Sequence, residues 1–292
     1  ALLTLTRGQE TELPASAKIR FIASEGDYQQ AVAEARRLVG ASARVSEADL
    51  PLVLDSHFAE GLAEPLGLKV VEGELYVLQK HELTKVGDRD RDGIADDYQT
   101  ISSGWGTTAN FHEFAFGLAY RDEHFYATLA TAVAPGGTAA AVQNHDRGKV
   151  MRIDRRTGAF DFLASGLRTP NGIGFGTDGA LFVTDNEGDW LPANKLLHVQ
   201  PGAFYGSYIV DPEHANTLPI KPPAVWLPVD EIANSPSEPL RFDIGPYRDQ
   251  LLYGDVTYGG LNRVVLQKNG DSYQGCVLPF SQGFEAGINR AV

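Results

Sequence analysis

Sulfur is almost absent from this chain: one cysteine, Cys276, and one methionine in 292 residues. A lone cysteine excludes disulfides within the chain, Cys-x-x-Cys redox or metal motifs and the Cys-x-x-Cys-His attachment of haem. Cys276 is therefore expected to act as a small buried hydrophobe. Positive charge is also scarce, with 25 Lys and Arg against 38 Asp and Glu and a net charge of −13. That balance argues against nucleic acid or an anionic membrane as partner. No apolar run approaches the roughly 20 residues that span a bilayer. Ala1-Leu2-Leu3 lacks the positive and long apolar regions of a signal peptide, so none is expected here. The seven histidines show neither HxxxH nor HExxH spacing, which disfavours a zinc enzyme. There is no GxSxG nucleophile elbow. Pro135-Gly136-Gly137-Thr138 follows no strand with a P-loop lysine and reads as an ordinary loop.

Helical periodicity is rare too. One short N-terminal helix is expected near 28–39, where Ala31, Ala33, Ala35 and Leu38 sit among charges and Gly40 stops the run. The rest reads as strands between turns, with 31 glycines and 43% hydrophobic residues. A pattern recurs: an apolar strand, a turn with Gly or charges, then a second strand. Copies are Leu66–Val71 with Leu75–Leu78, Phe116–Tyr120 with His124–Ala127, Asn171–Phe175 with Leu181–Thr184, and Leu240–Ile244 with Gln250–Asp255. Third strands follow at Gly148–Ile153 and Asn262–Leu266, and a fourth begins at Thr157–Leu163. Recurrence about every 50–70 residues predicts an all-β fold, a β-propeller of about six blades, of which this chain covers four to five. A β-sandwich is the structural rival, but it would not repeat this motif. The expected division is an N-terminal segment, 1–60, and propeller blades over 61–292. A fifth copy starts at Gly287-Ile288-Asn289-Arg290, and Lys18–Ala23 is a candidate strand to complete one blade. Further residues or another chain are expected to close the ring.

Residues 88–97 carry the densest chemistry. Asp88, Asp90 and Asp92 alternate, Gly93 permits a sharp turn, and Asp96 and Asp97 follow. Side chains at every second position of a tight loop converge, and Ile94 can add its backbone carbonyl. Such an oxygen cage suits Ca²⁺, which takes six to eight oxygen ligands. Five carboxylates this close repel one another unless a cation sits among them. The loop departs from an EF-hand, since position twelve is Gln99, and it looks like the shorter DxDxDGxxD loops of extracellular proteins. Its alternative is a solvated acidic turn. As a cation site it would staple a blade hairpin and favour a periplasmic or extracellular setting, where calcium fills weak sites.

Three segments resemble the bacterial glucose/sorbosone dehydrogenase family. They are Glu64-Pro65-Leu66-Gly67-Leu68 through the acidic loop, Asn110-Phe111-His112-Glu113-Phe114-Ala115-Phe116-Gly117, and Ser165-Gly166-Leu167-Arg168-Thr169-Pro170-Asn171-Gly172-Ile173-Gly174-Phe175. The third continues from Leu181 to Trp190. The resemblance implies a soluble propeller that oxidises sugars with pyrroloquinoline quinone (PQQ) and calcium. It places His112 as the base that takes the sugar hydroxyl proton. Arg168 would meet negative charge developing on the quinone, with Asn171 as its hydrogen-bonding companion. Asp185–Asp189 resembles the stretch that supplies oxygens to an active-site calcium, here Glu187 and Asp189, with Trp190 as a flat wall. Arg290 matches the start of a late Asn-Arg motif that binds the quinone carboxylates. Two departures stand out: Val292 replaces a second arginine, and no lysine lies near Asp255-Val256-Thr257-Tyr258. The expected ligands are thus a sugar or related alcohol, PQQ and Ca²⁺, with an electron-acceptor protein as partner. A non-catalytic, calcium-stabilised binding or assembly module is the alternative, and a calcium-dependent lactonase-type hydrolase a second one.

Overall fold

The computed structural model describes residues 58–176, 178–188, 193–284 and 286–290. The helix expected near 28–39 and the strand expected at Lys18–Ala23 lie outside them. The chain divides into two units: residues 1–60 with 91–94, and residues 61–90 with 95–292. The sheets described here belong to the second.

β1 (Gly67–Val71), β2 (Glu74–Leu78), β3 (Glu82–Gly87) and β4 (Asp97–Ser103) form the first sheet in chain order. β5 (Ala115–Arg121), β6 (His124–Leu129), β7 (Lys149–Asp154) and β8 (Phe160–Ser165) form the second. β9 (Gly172–Phe175), β10 (Leu181–Asp185) and β11 (Ala193–His198) begin the third. β12 (Ala203–Phe204) then adds a short parallel strand to the edge of the second sheet, and β13 (Val225–Pro228) completes the third. β14 (Leu240–Phe242), β15 (Gln250–Gly254), β16 (Leu261–Asn269) and β17 (Ser272–Ser281) make the fourth. Apart from β12, every pairing is antiparallel. Among the described residues the helical content is α1 (Pro212–Ala215) and a 3-10 turn at Gly245–Tyr247.

Local chemistry explains the hairpins. Glu72 and Gly73 both have positive φ, as do Asp122 and Glu123, so the β1–β2 and β5–β6 connections are two-residue loops whose twist matches the strands. The first strands of successive sheets lie against one another, β1 on β5, β5 on β9 and β9 on β14. Sheets stacked this way, each meandering outward from its first strand, are arranged in the manner of propeller blades.

Each gap between sheets holds its own core. Leu78, Leu83, Phe125 and Met151 fill the first, Val150, Ile173, Val183 and Leu197 the second, and Phe182, Leu196, Tyr253 and Val264 the third. Neighbours in one strand serve different cores: Val150 and Met151 point opposite ways, as do Phe182 and Val183. This is the period of two of a strand buried on both faces, and it explains why the middle strands read as continuous apolar runs. The outer sheets lack a neighbour on one side among the described residues. There Leu68 and Val70 are 64% and 60% exposed on β1, and Leu278 and Phe280 are also exposed on β17. Cys276 belongs to that β17 face and is exposed, which corrects the expectation of a buried thiol. Its sheet position, not its chemistry, decides its exposure.

Glycine is required where first strands meet. A Cβ on Gly67 would run into the Gly117 carbonyl oxygen, and one on Gly117, at φ +68°, would meet the Ile173 side chain. The Gly117 carbonyl is backbone of the next sheet and cannot swing aside. Gly67→Ala is expected to lower stability by about 1–3 kcal/mol, read as a lower urea midpoint, whereas Gly73→Ala, where a Cβ meets open space at φ +84°, should cost less.

Candidate functional site

The turns ahead of β9 and β14 are tied to the sheet before them. The Thr128 hydroxyl on β6 donates to the Pro170 carbonyl at 2.6 Å, and the Thr184 hydroxyl on β10 donates to the Ser237 carbonyl at 2.9 Å. These bonds fix the turns before β9 and β14, and His112, Arg168 and Asn171 likewise stand just ahead of first strands.

His112 stands three residues before β5. Its backbone N–H donates to Asn110 Oδ1 at 2.9 Å, and its ring lies between those of Phe111 and Phe114. Ring Nδ1 is 2.9 Å from the Thr131 carbonyl. A carbonyl can only accept, so Nδ1 carries the proton and Nε2 keeps the lone pair. Burial pushes the imidazole pKa below its ordinary value, and the positive charge of Arg168 adds to this, against the opposing Thr131 hydrogen bond. His112 is thereby held as a neutral imidazole with a basic Nε2.

Arg168 is buried in the turn before β9. Its carbonyl accepts from the Thr131 N–H at 2.9 Å and from the Thr131 hydroxyl at 3.0 Å. Thr131 therefore bridges His112 and Arg168. The Arg168 guanidinium donates to the Gly137 carbonyl and reaches Thr169 Oγ1 at 3.5 Å. Beneath the turn lies Asp185, at the end of β10. Its Oδ1 accepts from the Arg168 and Thr169 amides at 3.1 and 2.9 Å, and its Oδ2 is 3.1 Å from Lys195 Nζ. The Asp185 and Lys195 side chains are 0% and 1% exposed.

Asn171 donates through Nδ2 to Asn289 Oδ1 at 3.2 Å. Arg290 is committed to protein partners: Glu238 at 3.1 Å, the Asn289 carbonyl at 2.7 Å and the Leu66 carbonyl at 3.2 Å. Burial pushes the Glu238 pKa up, opposed by Arg290 and Lys69. Burial lowers that of Arg290, opposed by Glu238. Residues from the starts of three sheets, Leu66, Asn171 and Glu238, thus meet around Asn289 and Arg290.

Three buried acceptor oxygens here have no hydrogen-bond partner among the described residues: Asn171 Oδ1, Asn186 Oδ1 and Glu187 Oε2. Asn186 donates to Ser235 Oγ at 3.0 Å and its N–H to the Thr169 carbonyl at 3.2 Å. Glu187 donates its N–H to Asn194 Oδ1 at 2.9 Å. Each is an oxygen acceptor of the kind a hard cation or a donor-rich ligand takes up. Asp189 and Trp190 lie outside the described residues.

The acidic loop joins β3 to β4, where the repeat placed it. Ligand oxygens of Asp88, Asp90 and Asp92 come within 4.8 Å of one another. Asp96 and Asp97 are turned to Arg89 instead, at 2.8 Å from its N–H and 2.6 Å from its guanidinium. Ile94 donates its N–H to Asp92 Oδ1 at 2.8 Å. This loop is a separate feature from the His112–Arg168 cluster.

Thr131, Lys195 and Glu238 escaped the sequence reading. Lys195 had a usable signal, a lone charge in the apolar run Leu196-Leu197 on a strand buried on both faces. Glu238 had another, its place just ahead of the fourth first strand. Thr131 had none, because its contact with His112 is made by its backbone carbonyl.

Solved structures match with low identity. The Trichoderma reesei protein of Carbohydrate-Active Enzymes Family AA12, in its iodide structure, is 15% identical, with 76% of this chain and 69% of that one covered and a TM-score of 0.51. This chain shares that fold. The pyranose dehydrogenase PQQ domain from Coprinopsis cinerea, in holo form, is 13% identical over 78% of this chain and 81% of that one, with a TM-score of 0.46. The PQQ-bound aldose sugar dehydrogenase from Streptomyces coelicolor is 16% identical over 77% and 83%, with a TM-score of 0.41. A family model described as "Putative phage tail protein" matches residues 1–69. No curated protein matches. Among the described residues no helix is long and apolar enough to cross a membrane.

Two measurements probe the site's electrostatics. Burial lowers the pKa of His112 and of His198, the latter helped by Lys221. Both groups stay neutral in the fold but charge in the unfolded chain below its ordinary value of 6.5. Their contribution is complete above that pH and is lost as pH falls through the folded values. The urea midpoint should therefore drop between pH 7.5 and 5.5, and His112→Asn with His198→Asn should flatten the drop. Lys195→Met strands the buried Asp185 carboxylate and is expected to cost about 3–5 kcal/mol, while adding Asp185→Asn should recover part of that loss in the same denaturation assay.

Proposed function

We propose that this chain is the propeller of a quinoprotein-type oxidoreductase that oxidises a sugar or related alcohol with PQQ and calcium. The observation that carries the reading is the His112–Thr131–Arg168 bridge, which holds a neutral base beside a buried guanidinium. PQQ, when bound, supplies a two-electron acceptor. His112 Nε2 then takes the hydroxyl proton of the substrate, a role that asks for a neutral imidazole of fixed tautomer. Arg168 offers fixed positive charge where negative charge develops. Arg168 and Asn171 would hold the quinone. Arg290 does not fit that task, because Glu238, Asn289 and Leu66 already use its guanidinium. Asn186 and Glu187 would hold calcium through the acceptors that lack partners, with Asp189 and Trp190 completing the pocket.

The same reading takes the four sheets as blades of a ring of about six. Ile288 donates its N–H to the Asp255 carbonyl at 2.8 Å, and a Cβ on Gly254 would meet Ile288. This is the close approach seen between first strands, so Gly287–Arg290 starts a fifth blade. Asp88, Asp90 and Asp92 hold a structural calcium, which suits a periplasmic or extracellular protein that passes electrons to an acceptor protein.

The Arg290–Glu238 pair favours a second reading, a calcium-stabilised binding or assembly module without quinone chemistry. A lactonase-type hydrolase is less favoured, since Glu238 faces a guanidinium rather than a cation site.

Titration of the full chain with PQQ and Ca²⁺, followed by dye reduction with a panel of aldoses, decides between them. Saturable quinone binding and aldose-dependent reduction are expected, and His112→Asn should slow reduction by about a hundredfold or more. Absence of quinone binding at micromolar concentrations would overturn the oxidoreductase reading in favour of the module. Separately, millimolar calcium should raise the melting temperature, and Asp90→Asn should remove most of that increment.

A further inference from the structure

Among the described residues, the fourth sheet shows no counterpart of the buried pair Asp185–Lys195. The two residues are directly opposite in the β10–β11 register. Asp255 occupies the comparable place beyond β15 in the fourth sheet. Its carboxylate accepts backbone amides from Asn234, Thr257 and Tyr258, and no lysine takes the role that Lys195 plays at Asp185. The distinguishing feature of the third sheet is what its carboxylate holds, namely the peptide that carries Arg168.

We propose that Asp185–Lys195 is a positioning pair, which fixes through the Arg168–Thr169 peptide and Thr131 both the place of the Arg168 guanidinium and the ring nitrogen of His112 that carries the proton. The inference rests on the reading that His112 and Arg168 form the site. The links are continuous. Lys195 holds Asp185 at 3.1 Å, and Asp185 accepts the amides of Arg168 and Thr169 at 3.1 and 2.9 Å. The Arg168 carbonyl accepts twice from Thr131, whose own carbonyl accepts His112 Nδ1–H at 2.9 Å. A charged acceptor makes the amide bonds strong, and burial leaves the carboxylate no alternative position. If the peptide at Arg168 rotates, Thr131 loses its acceptor and its carbonyl turns away from His112. The imidazole is then free to place its proton on Nε2, which removes the base.

The test uses the ¹⁵N-labelled full chain and reads the imidazole nitrogens of His112 by NMR. The double variant Asp185→Asn with Lys195→Met removes both charges at once, so the net charge facing His112 is unchanged. Wild type should show the proton on Nδ1. The double variant should lose that preference. Asp255→Asn, which loosens a different loop, should lower stability while leaving the His112 signals in place. Wild-type His112 signals in the folded double variant would overturn the proposal. If the double variant does not fold, Asp185→Glu decides: it keeps the charge but displaces the acceptor, so unmoved Arg168, Thr169 and His112 signals overturn the proposal and shifted ones support it. The readout needs neither quinone nor substrate. A failed PQQ titration would sink the oxidoreductase reading and leave this one standing, and the reverse holds as well.

Discussion

The organisation of this protein depends on how each sheet grips the turn that leads into the next. Threonine hydroxyls on or just after second strands reach across: Thr128 to Pro170, Thr131 to Arg168, Thr184 to Ser237. Such turns carry polar backbone into a region that water reaches poorly. Their carbonyls and amides must be satisfied there, or each would cost about 1–3 kcal/mol. The grip fixes the spacing of the first strands, and that spacing requires glycine at Gly67 and Gly117. Side chains just ahead of those strands are thereby collected at one end without any local sequence proximity.

That geometry gives the cluster a division of labour. His112 and Arg168 share Thr131, so the imidazole and the guanidinium are not independently adjustable. Asn289 and Arg290 form a second group that knits the starts of three sheets together. A guanidinium whose donors are spent on Glu238, Asn289 and Leu66 serves cohesion more than recognition. The acidic loop between β3 and β4 is separate from both.

Much of the fold was legible in the residues. The paired strands, their order and the loop that bears Asp88–Asp97 follow from alternation, turn chemistry and repetition, all local signals. The positions of His112, Arg168 and Asn171 ahead of first strands were legible for the same reason. Cys276 misled because burial of a strand residue depends on whether its face of the sheet is covered, which no single strand encodes. Arg290 stands where the resemblance places a cofactor ligand, and Glu238, distant in sequence, lies beside it. Asp96 and Asp97 looked equivalent to Asp88 in spacing, yet Arg89 draws them away.

The sequence by itself determined the all-β character, the repeating unit and the residue types available for proton transfer and anion recognition, because strand periodicity and turn preference act over a few residues. Only the tertiary structure decided which of them meet. Thr131 enters through its backbone, Lys195 through a register between strands, and the Asn289–Arg290 group through contacts across more than a hundred residues. Long-range pairing of this kind is set by packing of whole sheets, and no window of sequence carries it.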